Sequence, residues 1–277
     1  MLLQEQVPIS KKKRLKKYVY YFGDGKAEGG SNMKELLGGK GAGLAEMTNL
    51  GISVPSGFTI STQACVEYYK NGKKYPSGMW EASLQSLKRI ERSMGSRFGD
   101  PERPLLVSVR SGSRASMPGM MDTVLNVGLT TKTVKGLAAR TGNERFAQDT
   151  YRRFVAMYGS IVMGVPREHF EAILKKKKEE VGAAHETHLD AQHLRELVDS
   201  FKALVKEETK KEFPDDPLEQ LRLAIDAVFS SWNGARAVTY RKVYSIPDSW
   251  GTAINVVAMV FGNMGETSGT GVAFTRD

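Results

Sequence analysis

Two cations in this chain stand beside small residues. Lys40 lies in the stretch LLGGKGAGLAEM (36–47), and Arg110 ends the apolar run PLLVSVR (104–110). A glycine-rich turn that opens a helix is an anion-binding geometry, because backbone N–H groups and the positive helix end face the same point. The spacing around Lys40 matches neither GxxxxGK(S/T) nor GxGxxG. A closely packed helix start with Lys40 in solvent is therefore an equal alternative.

A second stretch rich in glycine and hydroxyl groups stands near the end of the chain. The apolar run TAINVVAMVFGN (252–263) is followed by MGETSGTGVAFTRD (264–277). Two apolar runs joined in this way predict a β-hairpin with a flexible tip. The tip could fold over phosphates with backbone N–H and hydroxyl donors, or it could be an ordinary solvent turn. Because the chain stops at Asp277 directly after an apolar run, we expect a domain that is cut short.

Short β-prone runs must position these stretches. YVYYFG (18–23), GISVPSGFTIS (51–61) and the apolar runs 104–110 and 252–263 predict strands. Pro55 restricts the second of these strands to a sheet edge or a bend, because proline lacks the N–H that a strand donates. The residues after the second strand have helical spacing and predict a short helix.

The middle of the chain has helical periodicity. Between about 144 and 232, apolar residues recur at i, i+3 and i+4. The last helix of this region begins with Asp216 as N-cap and Pro217 in the first turn, and Glu219 completes a D-x-x-E box. These elements predict an α+β fold. Its predicted parts are a basic disordered tail (1–17), a first α/β subdomain (18–143), a helical subdomain (144–235) and the truncated start of a second β subdomain (236–277).

Composition limits the function classes. Of 277 residues, 40% are hydrophobic and 26% charged, and Cys65 is the only cysteine, which excludes a disulfide within the chain and a cysteine-rich zinc site. No apolar run approaches the roughly 20 residues of a membrane span. Residues 1–17 carry six cations and one acid, so +5 of the net charge of +9 lies in the tail. We expect a soluble cytoplasmic protein that binds neither membrane nor nucleic acid; for the tail, a polyanion-binding arm and an organelle address are the alternatives.

Five blocks of the chain together resemble the N-terminal nucleotide-binding domain of the pyruvate, phosphate dikinases, in the ATP-grasp group. They are LLGGKGAGLAEM (36–47), VPSGFTI (54–60), LLVSVRSGSRASMPGMMDT (105–123), NERFAQDTYRRF (143–154) and MVFGNMGETSGTGVAFTR (259–276). The resemblance extends from about Tyr18 to the last residue. Related phosphoenolpyruvate synthases and glucan dikinases share the Gly-Lys-Gly and Val-Arg-Ser elements, but the Met-Pro-Gly-Met-Met-Asp-Thr continuation is typical of the diphosphate-forming enzyme.

The resemblance implies an ATP-grasp-type fold with mixed sheets and an inserted helical subdomain. It also implies a half-reaction in which ATP phosphorylates a histidine on a swivelling domain, after which pyruvate is phosphorylated on a barrel domain. The resemblance further implies that the whole enzyme interconverts ATP, pyruvate and phosphate with AMP, phosphoenolpyruvate and diphosphate, and that it is a homodimer when full length. ATP and Mg²⁺ are the implied cofactors, and the metal ligands are expected beyond residue 277. We expect the 277 residues alone to be inactive and to bind ATP weakly. A phosphoenolpyruvate synthase-like dikinase and a non-catalytic nucleotide-binding module are the alternatives.

Individual residues take roles from the matched blocks. Lys40 and Arg110 would bind ATP phosphates and act in catalysis, because phosphoryl transfer depends mainly on positioning and on neutralising charge. Arg114 would contact phosphate or another domain. Met259 and Val260, on the last long strand, would hold adenine through backbone groups and apolar contact. The glycine-rich loop that would close over the phosphates comprises Gly265, Glu266, Thr267, Ser268, Gly269 and Thr270.

Three methionines follow the arginines in the third block. Met117, Met120 and Met121 flank a Pro-Gly pair. Because thioether side chains adapt to changing partners, they could form a flexible flap that meets an arriving histidine domain. Alternatively, they could pack under the loop, and the residues alone leave both possibilities open.

Overall fold

The computed structural model of this chain describes residues 16–272. Most of the predicted basic tail, residues 1–15, lies outside the described residues. Residues 273–277 lie outside them as well, and with them most of the predicted second strand of the terminal hairpin. The helices are α1 Lys34–Asn49, α2 Thr62–Lys70, α3 Met79–Met94, α4 Thr133–Thr141, α5 Glu144–Ile161, α6 Arg167–Glu180, α7 Ala191–Thr209, α8 Pro217–Ser231 and α9 Ala235–Val243. The strands are β1 Val19–Gly23, β2 Lys26–Ala27, β3 Gly57–Ile60, β4 Arg97–Phe98, β5 Pro104–Leu105, β6 Val107–Gly112, β7 Thr123–Val127 and β8 Ala253–Ala258.

Six strands form one sheet in the order β2-β1-β3-β8-β6-β7. Every pair in it is antiparallel, and the parallel pairing is confined to the separate two-stranded sheet of β4 and β5. The fold combines helices with sheets as predicted, but the expected mixture of strand directions is absent from the six-stranded sheet. Strand direction depends on the partner that each strand meets, and the residue pattern of a single strand does not encode that partner.

The last strand occupies the centre of the sheet. β8 pairs with β3 on one side and with β6 on the other, although the whole helical region separates it from both in sequence. It ends at Ala258, so the predicted strand over 252–263 is too long and the residues after Ala258 leave the sheet. The sequence analysis placed this strand in a second β subdomain. The divisions at 143 and 235 stay predictions.

The two faces of the sheet differ in chemistry. One face carries large apolar side chains of the main core, such as Phe58, Val109 and Val256. The alternate positions on these strands are small or polar apart from Val257, and α1 packs across them. Gly41 makes this close approach possible, because a Cβ there would lie 2.8 Å from the Thr59 methyl group. The sheet therefore offers a polar floor beneath the glycine-rich helix.

The predicted helical stripes form the core of the middle region. α5 and α7 bury their apolar residues against each other, as the spacing predicted. Asp216 caps α8 as predicted, because its carboxylate accepts hydrogen bonds from the Leu218 N–H at 2.7 Å and the Glu219 N–H at 3.2 Å. α8 then packs against β6 and β7, which joins the helical region to the sheet.

A buried arginine anchors the segment that leads into β8. Arg241 is 2% exposed and lies with its guanidinium 4.1 Å from the centre of the Trp232 ring. Its Nε donates to Asp248 Oδ1 at 2.7 Å, and its other nitrogens donate to the Trp232 carbonyl and to Asn233 Oδ1. These contacts join α9 to the chain that enters the central strand.

Substitution of Arg241 by alanine is expected to lower the free energy of unfolding by about 3 kcal/mol, because it leaves the buried Trp232 carbonyl without its donor and removes the packing of the guanidinium on the Trp232 ring. The measurement is a urea unfolding curve. Arg236→Ala in the same helix is the matched control: Arg236 is exposed and pairs with Asp122 at 3.2 Å, so a change within about 1 kcal/mol is expected. Equal unfolding midpoints for the two variants would contradict the anchoring role of Arg241.

Candidate functional site

A cleft of about 460 Å³ opens where α1 crosses β6 and the end of β8. It brings together four residues that the sequence analysis selected, namely Lys40, Arg110, Met259 and Val260. They come from three separate parts of the chain. The full lining consists of Gly39, Lys40, Gly43, Leu44, Met47, Pro55, Ser108, Arg110, Asn255, Val257, Ala258, Met259 and Val260.

The glycine-rich turn is a break inside α1. Gly38 has φ 68° and ψ 172°, which interrupts the helix and starts it afresh on the cleft side. A Cβ on Gly38 would overlap the Gly112 carbonyl, so only glycine fits this approach to β6. The Gly39 N–H donates to the Ser113 carbonyl at 3.0 Å. The glycine-rich turn therefore begins a helical segment as predicted, but a helical turn that starts at Lys34 also precedes it.

Lys40 and Arg110 form a cationic pair in the cleft. The Lys40 amine donates to the Ser111 carbonyl at 3.2 Å, next to the position of Arg110 on β6. Partial burial lowers the pKa of the Lys40 amine below its ordinary value, and the positive charge of Arg110 lowers this pKa further. None of the described residues that line the cleft is an aspartate or glutamate. Two like charges therefore face one space, and an anion bound there would relieve their repulsion.

The other end of the cleft is apolar. Met259 and Val260 follow β8 and do not belong to it, which corrects their predicted place on the strand. The Met259 N–H still donates to the Leu106 carbonyl at 2.9 Å, so the chain stays beside the residue that precedes β6. Val260 is 65% exposed. Together with Leu44 and Met47 of α1, these residues can contact a flat apolar group.

Arg114 lies outside the cleft lining. Its Nε donates to the Glu35 carbonyl at 2.9 Å, and its guanidinium lies 5.2 Å from the centre of the Trp250 ring. These contacts place the side chain beside the first turn of α1, on the far side of the Gly38 break. Its predicted role as a phosphate or interdomain contact stays a prediction.

The predicted phosphate-covering loop is not among the residues that line the cleft. Its residues 265–270 are exposed apart from the half-buried Ser268. The Asn143 side-chain amide donates to the Met264 carbonyl at 3.2 Å, which anchors the start of the loop to the cap of α5. The Ser268 N–H donates to the Gly265 carbonyl at 3.0 Å and forms a turn. The predicted contacts of this loop with phosphate stay predictions.

The methionines after the second arginine pack against α9 and against Trp232, which follows α8. Met117 is 8% exposed and contacts the cluster of Trp232 and Ala237. Met120 and Met121 are partly buried against the same cluster. Of the two possibilities left open by the sequence, packing under the loop is the one present in this structure.

Several residues of the cleft were not among the predicted site residues. Asn255 is the most informative, because it is a buried polar residue in an otherwise apolar strand. That contrast within AINVVA was a usable signal, since buried polar side chains need partners. Ser108 lies on β6 two residues before Arg110, and Pro55 lies just before β3. Neither carries a chemical signal of its own in the sequence.

The described part of the chain offers neither a metal-binding cluster nor a membrane-spanning helix. Residues 16–272 contain no group of three or more His, Cys, Asp or Glu side chains placed to hold a metal ion. Across the same residues, every helix is too short or too polar to cross a bilayer.

The chain is similar to proteins of known function. Residues 34–82 and 76–277 match the family model described as pyruvate phosphate dikinase, AMP/ATP-binding domain. Pyruvate, phosphate dikinase 1, chloroplastic, of Arabidopsis thaliana is 55% identical over 261 residues. Pyruvate, phosphate dikinase of Clostridium symbiosum is 54% identical over 262 residues. Each alignment covers 94% of this chain but only 27% and 30% of the respective relative, so the chain spans less than a third of their length.

Proposed function

Because this chain belongs to the pyruvate phosphate dikinase AMP/ATP-binding domain family, we propose that it binds ATP in the cleft between α1, β6 and β8. The phosphates lie at Lys40 and Arg110, and the adenine lies against Met259 and Val260. The observation that carries this proposal is the cationic pair, which faces a cleft without a carboxylate in its lining. The apolar end of the same cleft suits a purine ring, whereas the cationic end suits its phosphates.

The chemistry of the two cations supports a role in phosphoryl transfer. Negative charge spreads over the oxygens of the transferring group, so fixed positive charges lower the barrier. The Arg110 guanidinium can bind two oxygens of one phosphate, whereas the Lys40 amine acts as a point charge. Burial and, to a smaller extent, the charge of Arg110 lower the pKa of the Lys40 amine, and bound phosphates would offset the repulsion from Arg110. Lys40 and Arg110 are therefore our candidates for catalytic residues.

The wider activity is part of the same proposal. Its relatives are named pyruvate, phosphate dikinases, and we infer that this chain supplies the step in which ATP phosphorylates a histidine. A swivelling phosphohistidine domain and a pyruvate-binding domain are the implied partners. An ATP-grasp-type fold is inferred from the same family membership.

Mg²⁺ is the metal that this family membership implies. The residues that line the cleft offer no carboxylate, and the described chain offers no cluster of metal-ligating side chains. The described residues therefore do not fit a Mg²⁺ site of their own. Their contribution to the reaction lies in binding and orienting the nucleotide.

The proposal is tested by titrating the ¹⁵N-labelled chain separately with ATP, AMP, tripolyphosphate and adenosine, without divalent cations. We expect ATP to bind more tightly than either tripolyphosphate or adenosine, because it occupies both ends of the cleft. The backbone amide signals of Lys40, Arg110 and Val260 should be among those whose chemical shifts change when ATP binds. Amide shifts confined to surfaces outside the cleft, or no shifts with ATP, would contradict the proposed site.

A further inference from the structure

A buried amide lies beneath the cationic pair and has an unused donor. Asn255 is 1% exposed, and its Nδ2 has no hydrogen-bond partner among residues 16–272. Buried polar groups are nearly always paired in folded proteins, because an unpaired donor has lost its hydrogen bonds to water. The position of this amide in the fold therefore requires an explanation.

One neighbour fixes the orientation of the amide. The Thr59 hydroxyl on β3 donates to Asn255 Oδ1 at 2.8 Å, inside the sheet. This bond occupies the oxygen of the amide and turns the NH₂ group away from β3. Asn255 is also the direct cross-strand neighbour of Arg110 on β6. The NH₂ group is thus directed towards the strand that carries the arginine.

Two glycines let the amide lie in the cleft floor. A Cβ on Gly41 would lie 2.9 Å from Asn255 Oδ1, and a Cβ on Gly112 would lie 2.6 Å from Nδ2. Larger residues at either position would push the amide out of place. Asn255 also belongs to the lining of the cleft, together with Lys40 and Arg110.

We propose that the Asn255 side chain is a third phosphate ligand, which donates a hydrogen bond from Nδ2 to an oxygen of the nucleotide held between Lys40 and Arg110. This proposal rests on the proposed ATP site and adds a neutral donor to its two cations. A phosphate oxygen is an acceptor only, so it matches the unused N–H bonds of an amide. The two cations attract the phosphate, whereas the amide, locked by Thr59, fixes where one oxygen lies.

The decisive substitution is Asn255→Asp, which keeps the shape and replaces the NH₂ donor with an oxygen that repels phosphate. We expect it to lower the affinity for ATP and for tripolyphosphate at least tenfold and to leave the affinity for adenosine unchanged. ¹⁵N shift titrations measure all three. Affinities for ATP and tripolyphosphate equal to those of the unsubstituted chain would overturn the proposal.

A second variant separates binding from folding. Thr59→Val combined with Asn255→Leu replaces both partners with apolar groups, which removes the unpaired donor without leaving a new one. We expect its urea midpoint to be equal to or above that of the unsubstituted chain, and its ATP affinity to fall at least tenfold. If it binds ATP as well as the unsubstituted chain does, the amide is a packing residue and the proposal is wrong.

The unsubstituted chain distinguishes this failure from failure of the ATP site itself. If ATP shifts the amides of Lys40 and Arg110 but the Asn255 variants bind normally, only the third ligand is wrong. If ATP leaves the cleft amides of the unsubstituted chain unshifted, the ATP site is wrong, and the role of Asn255 is overturned with it.

Discussion

Replacement of Arg110 by methionine is expected to weaken ATP binding about a hundredfold, which is about 2.7 kcal/mol. A hydrogen bond to a charged group contributes about 1.5–3 kcal/mol, and a guanidinium can make two with one phosphate. β6 presents Arg110 to the cleft, whose lining has no carboxylate to compete for it. The ratio of dissociation constants from ATP titrations measures the loss. The fold should persist, because Arg110 is exposed and its removal relieves repulsion with Lys40.

Two companion variants test whether the loss comes from this particular guanidinium. Arg110→Lys keeps the charge but cannot bind two oxygens in a plane, so we expect an intermediate loss of affinity. Arg114→Met is the matched control four residues further along the chain, because Arg114 lies outside the cleft lining and is engaged by the Glu35 carbonyl and the Trp250 ring. We expect Arg114→Met to change the affinity for ATP by less than about threefold. ATP could use the Arg114 guanidinium only by replacing the contacts that the guanidinium already makes. Equal losses for Arg110→Met and Arg114→Met would contradict the assignment of phosphate to the Lys40 and Arg110 pair.

Gly38→Ala is expected to lower the free energy of unfolding by about 3 kcal/mol and to weaken ATP binding as well. The backbone at Gly38 has φ 68° and ψ 172°, a region that is nearly exclusive to glycine and costs other residues about 1–3 kcal/mol. The new methyl group would also overlap the Gly112 carbonyl. Relief of this overlap moves the helix start, and with it Lys40. Urea unfolding and ATP titration measure the two effects.

The control for this substitution lies in the same helix. A Cβ on Gly43 meets no atom within 4 Å. Because alanine is a better helix former than glycine, Gly43→Ala is expected to raise the free energy of unfolding by about 0.5–1 kcal/mol. If Gly38→Ala unfolded at the same urea concentration as the unsubstituted chain, the backbone conformation of Gly38 would not be what fixes the start of the helix that carries Lys40.

Much of the local structure could be read from the chain before the fold was known. The aromatic run 18–23 forms β1, and the spacing after Ser61 forms α2. Asp216 caps α8 because a cap depends only on a side chain and the N–H groups that follow it within three residues. Lys40 and Arg110 were selected for their charge and their small neighbours, and they do meet in one cleft. Their roles with ATP stay predictions until the titrations are done.

The arrangement of these helices and strands in the fold could not be predicted from local residue patterns. The strand pattern of 252–263 predicts a strand, but not that β8 enters the centre of the sheet or ends at Ala258. The residues around Gly38 predict a turn. The φ and ψ of Gly38, however, depend on its close approach to the Gly112 carbonyl on β6. Each of these features depends on an element that is distant in sequence, and local periodicity carries no information about it.

The sequence by itself determined the family of this chain, the cap at which α8 begins, and the two cations that we assign to phosphate. Only the tertiary structure decided which residues share the cleft with them. Asn255 and Thr59 are 196 positions apart in the chain and 2.8 Å apart in the sheet. Such a pair forms because the packing of all the intervening elements brings two strands side by side. That packing is a property of the whole fold, so the polar residue within AINVVA could mark a buried amide but not its place beneath Lys40 and Arg110.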